Sequence, residues 1–292
     1  MDIDETAGIA PASWQEALNP PIYLVSILPS LGVPLLAAAP LAHGVALLLA
    51  TVAVVLLQHA INLFNDAADW RLGADAEKFD SWVRVHAERP ETAVLHAGLS
   101  LLAGGLLGLG VLWSTGQWWL LLVALPLVGL GYLYNAGERP LSYTHLGEWV
   151  TGICYGGVFG CLWLVAGQAV GVAMFAGVVA FAALAAALLL SHQPPQVETD
   201  RAAGKLSFAV RFGVARTTQV SRTLFGLCLF ALSAAVLWTQ SVLTGSLLSI
   251  LALAMFYRLA KRALNPKRIL LSASLFMLLA LGLRLLAGLT RV

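Results

Sequence analysis

HGVALLLATVAVVLLQHAINLFNDAADWRLGAD, residues 43–75, decides the reading of this chain. Residues 43–63 are almost continuously apolar, and about 20 such residues let an α-helix cross the hydrocarbon core of a bilayer. The character then changes. Asn62, Asn65, Asp66 and Asp69 lie at offsets of 3, 4 and 7, which puts them on one helical face. A crossing helix that ends in an oxygen-rich stripe predicts a membrane protein with its chemistry at one surface.

The remaining sequence repeats the first half of that pattern. Nine apolar runs are long enough to cross, at about 21–39, 43–63, 93–113, 118–135, 147–166, 169–191, 219–239, 243–263 and 269–288. The division between the seventh and eighth rests on Thr239, Gln240, Ser241, Thr244 and Gly245. The chain is 59% hydrophobic and 11% charged, whereas a soluble domain carries about 25% charged residues. The expected fold class is therefore all-α, a polytopic membrane bundle of about nine transmembrane helices. It reads as one domain across residues 1–292. A net charge of +2, with no basic segment interleaved with aromatics, argues against nucleic acid as a partner. Cys154, Cys161 and Cys228 sit in apolar runs and read as small packing residues.

Charge sets the orientation. Lys and Arg gather after spans 2, 4, 6 and 8, among them Arg71, Lys78, Arg84, Arg89, Arg139, Arg201, Lys205, Arg211, Arg216 and the 258–268 cluster. Positive loops mark the cytoplasmic side. The N-terminus and these loops are thus expected inside, at an inner (plasma) membrane, with the C-terminus outside. Arg284 and Arg291 are the exceptions, and Arg284 is expected to reach the outer headgroups. The acidic, polar N-terminal residues do not read as a signal peptide.

A second polar segment, HQPPQVETDRAAGK (192–205), follows span 6. Gln193, Gln196, Asp200 and Gly204 repeat the 3, 4, 4 spacing of Asn62, Asn65, Asp69 and Gly73. This predicts two pseudo-symmetric polar loops, about 62–92 and 192–218, facing each other across a bundle. Pro194 and Pro195 disturb the helix in the second. Carboxylates and amides form an all-oxygen donor set, which suits Mg²⁺ shared with substrate phosphates. Lys205, Arg211 and Arg71 beside them suit a polyanion such as diphosphate; the alternative is membrane-surface anchoring. Tyr132, Tyr134, Asn135, Tyr143 and Tyr155 are candidates for binding a second substrate or for an aromatic belt. Gly152, Gly156 and Gly160 read as a close-packing stripe. His192 reads as a base or a simple hydrogen-bonding residue.

At these residues the sequence resembles the UbiA-type membrane prenyltransferases, in particular the 1,4-dihydroxy-2-naphthoate polyprenyltransferase branch. NLFNDAADWRLGAD resembles that branch's first motif, with Asp75 six residues after Asp69. HQPPQVETDRAAGKLSFAVRFG resembles the second, and YNAGERPLSYTHLGE (134–148) a further family segment. The resemblance implies a central cavity capped by the inner loops, a polyprenyl diphosphate donor, an aromatic acceptor and Mg²⁺, in menaquinone biosynthesis. Asp66 and Asp69, with Asn62 and Asn65, would hold Mg²⁺ on the diphosphate. Glu198 and Asp200 would hold a second ion, and Lys205 and Arg211 would support the leaving group. Asp66, Asp69 and Asp200 would be central to catalysis. Arg71, Tyr134, Gln193 and Gln196 join the expected substrate-binding set. Gln196 stands where the family usually has Asp, removing one formal charge, and AEKFDSWVRVHAERP matches the family's Arg-containing segment only loosely. Other readings are a different aromatic or lipid acceptor, a relative that binds without turnover, or a transporter or lipid-binding protein.

Overall fold

A computed structural model of the chain describes residues 13–74, 78, 80–137, 140–239, 242–261 and 264–289. Asp75, Arg139, Gln240, Ser241, Arg262 and Arg291 lie outside the described residues. Among the described residues there is helix and turn but no strand. In chain order the helices are α1 (Trp14–Leu18), α2 (Leu24–Leu36), α3 (Gly44–Leu72), α4 (Trp82–Val85), α5 (Pro90–Thr115), α6 (Leu121–Asn135), α7 (Gly147–Val165), α8 (Val172–His192), α9 (Val197–Ala202), α10 (Phe208–Phe212), α11 (Val214–Thr239), α12 (Val242–Ala260) and α13 (Pro266–Leu289). Nine helical stretches among the described residues are long and apolar enough to cross a membrane. They coincide with the nine sequence spans. Exposed Leu95, Leu99, Leu102 and Leu106 form an apolar outer face on α5, as lipid contact requires.

α3 has 29 residues, about 43 Å at 1.5 Å per residue, whereas the hydrocarbon core is about 30 Å thick. Its last turns therefore extend past the apolar run without losing helical period, and the oxygen-rich stripe stays on the helix. The helix stops at Gly73, whose φ is +80°, a conformation glycine adopts without the Cβ penalty. The second segment closes in the same way. Gly204 has φ +73°, and the Lys205 N–H donates to the Asp200 carbonyl at 2.8 Å, just as the Ala74 N–H donates to the Asp69 carbonyl at 2.9 Å. The approach to Gly204 differs. Pro194 and Pro195 lack N–H groups, so α8 ends at His192, and a 3₁₀ turn, Pro194–Gln196, redirects the chain into α9.

The core lies among α2, α7, α8, α11 and α13, where the rings of Phe159 and Phe181 stack at 5.1 Å. α3 packs along α5, and α8 along α7 and α11. The glycine stripe of α7 faces α8: a Cβ on Gly156 would stand 2.9 Å from the Val178 carbonyl oxygen. That agrees with its reading as a packing surface. Arg284 departs from expectation. Its guanidinium donates to the Leu35 and Ala37 carbonyls at 2.7 and 2.6 Å, because the end of α2 offers unsatisfied acceptors nearer than any headgroup.

Candidate active site

The stripe on α3 and the second polar segment meet around one cavity of about 320 Å³. Asn62, Asn65 and Asp69 line it from α3; Gln196, Asp200 and Lys205 line it from the other segment; Tyr134 and Tyr155 line it from α6 and α7. Asp69 is buried and fully engaged. Its Oδ1 accepts from the Tyr143 hydroxyl at 2.7 Å, and its Oδ2 accepts from Asn65 Nδ2 at 2.7 Å and from Lys205 Nζ at 3.4 Å. This last contact joins the two sequence segments across 136 residues. Asp200 is buried as well.

Asp66 stands at the edge of the stripe. It does not line the cavity. Its oxygens accept from Lys78 Nζ and from the Trp82 backbone N–H, each at 2.7 Å, so it fastens the cap formed by α4. A chain of rings supports this cap: His86 Nε2 lies 3.2 Å from His96 Nδ1, His96 Nε2 lies 3.3 Å from His59 Nε2, and His59 Nδ1 lies 2.7 Å from the Tyr23 hydroxyl. Burial holds the His86 imidazole below its ordinary pKa.

Four other expected residues sit elsewhere. Glu198 is exposed and pairs with Arg201 at 3.3 Å, because two residues turn a helix by about 200°, so that α9 presents Asp200 inward and Glu198 outward. Arg71 pairs with Glu91 on the outer side of α3 at 3.6 Å. Gln193 and Arg211 lie one layer behind the cavity, where both bind Glu148. Gln193 Nε2 donates to Glu148 Oε1 at 3.0 Å, the Phe208 N–H donates to the same oxygen at 2.7 Å, and Arg211 Nη2 pairs with Oε2 at 3.1 Å. Glu148 thus ties the start of α7 to the second polar segment. It belongs to the stretch YNAGERPLSYTHLGE, where a carboxylate at the head of an apolar span was the signal available in the sequence. Lys78 and Tyr143 are the other contributors that sequence reasoning did not place against the carboxylates.

Two apolar cavities continue inward. One of about 130 Å³ shares Gln58, Asn62, Gly131, Cys154 and Tyr155 with the polar mouth. Another of about 270 Å³ shares Val54, Leu57, Leu101 and Val128 with the first. Polar oxygens thus give way to hydrocarbon along one route between α3, α5, α6 and α7. Among the described residues no three acidic, histidine or cysteine side chains converge on a single metal-sized point. The oxygens lining the mouth, from Asp69, Asp200, Asn62, Asn65 and Gln196, are the donor type that a hard cation shares with substrate oxygens.

The sequence profile of the UbiA prenyltransferase family matches residues 26–281. The chain belongs to this family. Its UbiA fold is shared with a UbiA homologue from Archaeoglobus fulgidus solved bound to GPP and Mg²⁺, with a TM-score of 0.67 at 18% identity over 92% of this chain and 98% of that one. Among curated relatives, the 1,4-dihydroxy-2-naphthoate octaprenyltransferase of Bacillus subtilis is 30% identical over 161 residues, 54% of this chain and 51% of that protein. The chain therefore matches about half the length of that relative. The 2-carboxy-1,4-naphthoquinone phytyltransferase of Synechocystis is 28% identical over 234 residues, 74% of this chain and 73% of that protein. With the nine apolar helices among the described residues, family membership makes this UbiA chain a multi-pass membrane protein.

Proposed function

We propose that this UbiA-family chain is a Mg²⁺-dependent prenyltransferase that moves a polyprenyl group from its diphosphate to an aromatic acceptor. The acceptor offered first is 1,4-dihydroxy-2-naphthoate, which places the reaction in menaquinone biosynthesis. The whole chain acts as one domain in the inner (plasma) membrane, with the N-terminus and both polar loops cytoplasmic. The observation that carries this reading is the route from carboxylates and ammonium groups directly into an apolar slot, which suits a ligand with an anionic head and a hydrocarbon tail.

Asp69 and Asp200, assisted by Asn62, Asn65 and Gln196, would hold Mg²⁺. When bound, the ion neutralises charge on the diphosphate. Lys205 turns from Asp69 toward the diphosphate oxygens as charge builds there. Lys78 and Asp66 hold the cap over the mouth. As the allylic carbon–oxygen bond breaks, its electron pair goes to the leaving diphosphate. The apolar walls keep water from the allylic cation. A ring carbon of the acceptor forms the new carbon–carbon bond and then sheds what it carried, a proton, or carbon dioxide where that carbon bears the carboxylate. Glu148, Gln193 and Arg211 keep the second segment in place, and Glu198 takes no part in metal binding in this scheme.

A carrier reading has less behind it. Transporters place binding groups near the bilayer midplane on broken helices, whereas the polar cluster here gathers where α3 and α8 end. The test is purified full-length chain with Mg²⁺, dihydroxynaphthoate and a labelled polyprenyl diphosphate. Labelled prenylated product is expected, falling by roughly 10²–10³-fold in Asp69→Asn and Asp200→Asn, as for loss of a transition-state electrostatic partner. No product with any aromatic acceptor in a panel, beside an active control enzyme, would refute the proposal.

A further inference from the structure

Gln58 lies one helical turn inward from Asn62 on the same stripe of α3. It lines both the polar mouth and the apolar slot beyond it. Only 8% of its surface is exposed. Its Nε2 donates to the Ile22 carbonyl at 3.2 Å, which fixes the two ends of the amide. The remaining atom, Oε1, is buried without a hydrogen-bond partner, and a ligand in the slot reaches it once the amide turns toward the cavity that Gln58 lines. Buried acceptors in native proteins are nearly always satisfied. A prenyl chain has no donor to offer such an oxygen, but a hydroxylated ring does.

Position agrees with this. At 1.5 Å per residue, Gln58 stands roughly 12–17 Å along α3 from Asp66 and Asp69. That distance takes a diphosphate, the allylic carbon and then a ring at a reacting separation of about 3–3.5 Å. The other polar groups at this depth are few: Ser26, Asn62, Tyr155 and the Cys154 thiol.

We propose that Gln58 Oε1 accepts a hydrogen bond from a ring hydroxyl of the aromatic acceptor, orienting the ring and selecting hydroxylated rings over those that lack that group. The proposal rests on the prenyl-transfer reading above. Its selectivity follows from leaving a buried oxygen unpaired when the hydroxyl is missing, the way a site built around a substrate hydroxyl discriminates.

The experiment uses full-length protein in micelles and measures both equilibrium binding and prenyl transfer. The ligands are 1,4-dihydroxy-2-naphthoate and the two monohydroxy-2-naphthoates that lack either the 1- or the 4-hydroxyl. Wild type is expected to bind the dihydroxy ring at least ~10-fold tighter than one monohydroxy ring, the scale of a single hydrogen bond. Gln58→Met should erase that preference and leave the KM for prenyl diphosphate unchanged. Gln58→Glu, protonated when buried, keeps a donor for Ile22 and an acceptor for the ligand, and should retain the preference. Preference surviving in Gln58→Met, an equal loss in both variants, or a shift only in the donor KM would overturn the proposal. So would a wild type that binds all three rings alike, whether or not the variants fold. Prenylation by wild type without any hydroxyl preference removes Gln58 alone. Binding with the preference erased by Gln58→Met, but with no prenylated product, supports Gln58 as a ring anchor and removes the transfer reading instead.

Discussion

Arg211 could act on the diphosphate directly, as the family resemblance implies, or through Glu148, as its contacts imply, and a double-mutant cycle separates the two. The guanidinium and carboxylate lie 3.1 Å apart with side-chain exposures of 25% and 13%. At an effective dielectric of about 20 the raw attraction at that separation is about 5 kcal/mol. Desolvation and the partial exposure of Arg211 reduce the net coupling to about 1–2 kcal/mol. Glu148 also accepts from Gln193 and the Phe208 backbone, and both bonds survive in Glu148→Gln. The cycle Glu148→Gln, Arg211→Met and the double variant should therefore isolate the ion pair. Each single variant is expected to lower stability in micelles, and the double should lose about 1–2 kcal/mol less than the sum. Prenyl-transfer kinetics should show kcat falling while the KM for prenyl diphosphate changes less than about threefold. Additivity within about 0.3 kcal/mol, with a steep rise in donor KM in Arg211→Met alone, would refute the positioning role and return Arg211 to the substrate.

Three further outcomes can be checked directly. Gln196→Asp adds a carboxylate beside Asp200 at the mouth and should lower the Mg²⁺ concentration for half-maximal rate several-fold; an unchanged requirement would mean that Gln196 does not reach the ion. Arg284→Leu removes two hydrogen bonds to carbonyls at the end of α2, a loss of about 2–4 kcal/mol that thermal unfolding in micelles should register, and an unaltered midpoint would contradict the contact. Acid should loosen the cap. The folded state holds His86 neutral below its ordinary pKa, so its contribution is full above the unfolded value of about 6.5 and declines as pH falls through it; protease cleavage around residues 80–89 should quicken between pH 7.5 and 5.5, and much less in His86→Gln.

The bundle was legible because lipid leaves little choice. A crossing helix needs about 20 predominantly apolar residues, so the spans and their one-sided charges stand in plain view. The α3 stripe was legible for a related reason, since helical period alone aligns Asn62, Asn65 and Asp69. Positions were less legible where partners distant in sequence compete for a side chain. Asp66 is claimed by Lys78 and Trp82, and Gln193 and Arg211 by Glu148. Glu198, expected from the resemblance and not from the spacing, faces outward because it stands two residues, about 200° of helix, from Asp200 on α9. Gln58 continues the stripe four residues before Asn62, but it stands within an otherwise apolar run, where a single amide draws little notice.

The contact between Lys205 and Asp69 bears on the order in which ligands arrive. A solitary divalent ion would have to evict the ammonium from the carboxylate and then sit beside it as a like charge. An ion already chelated by diphosphate would bring Lys205 a replacement anion in the same encounter. Asp69 is in this way neutralised from within at rest, and on the proposed function the chain should discriminate against free magnesium in favour of the magnesium–isoprenoid complex.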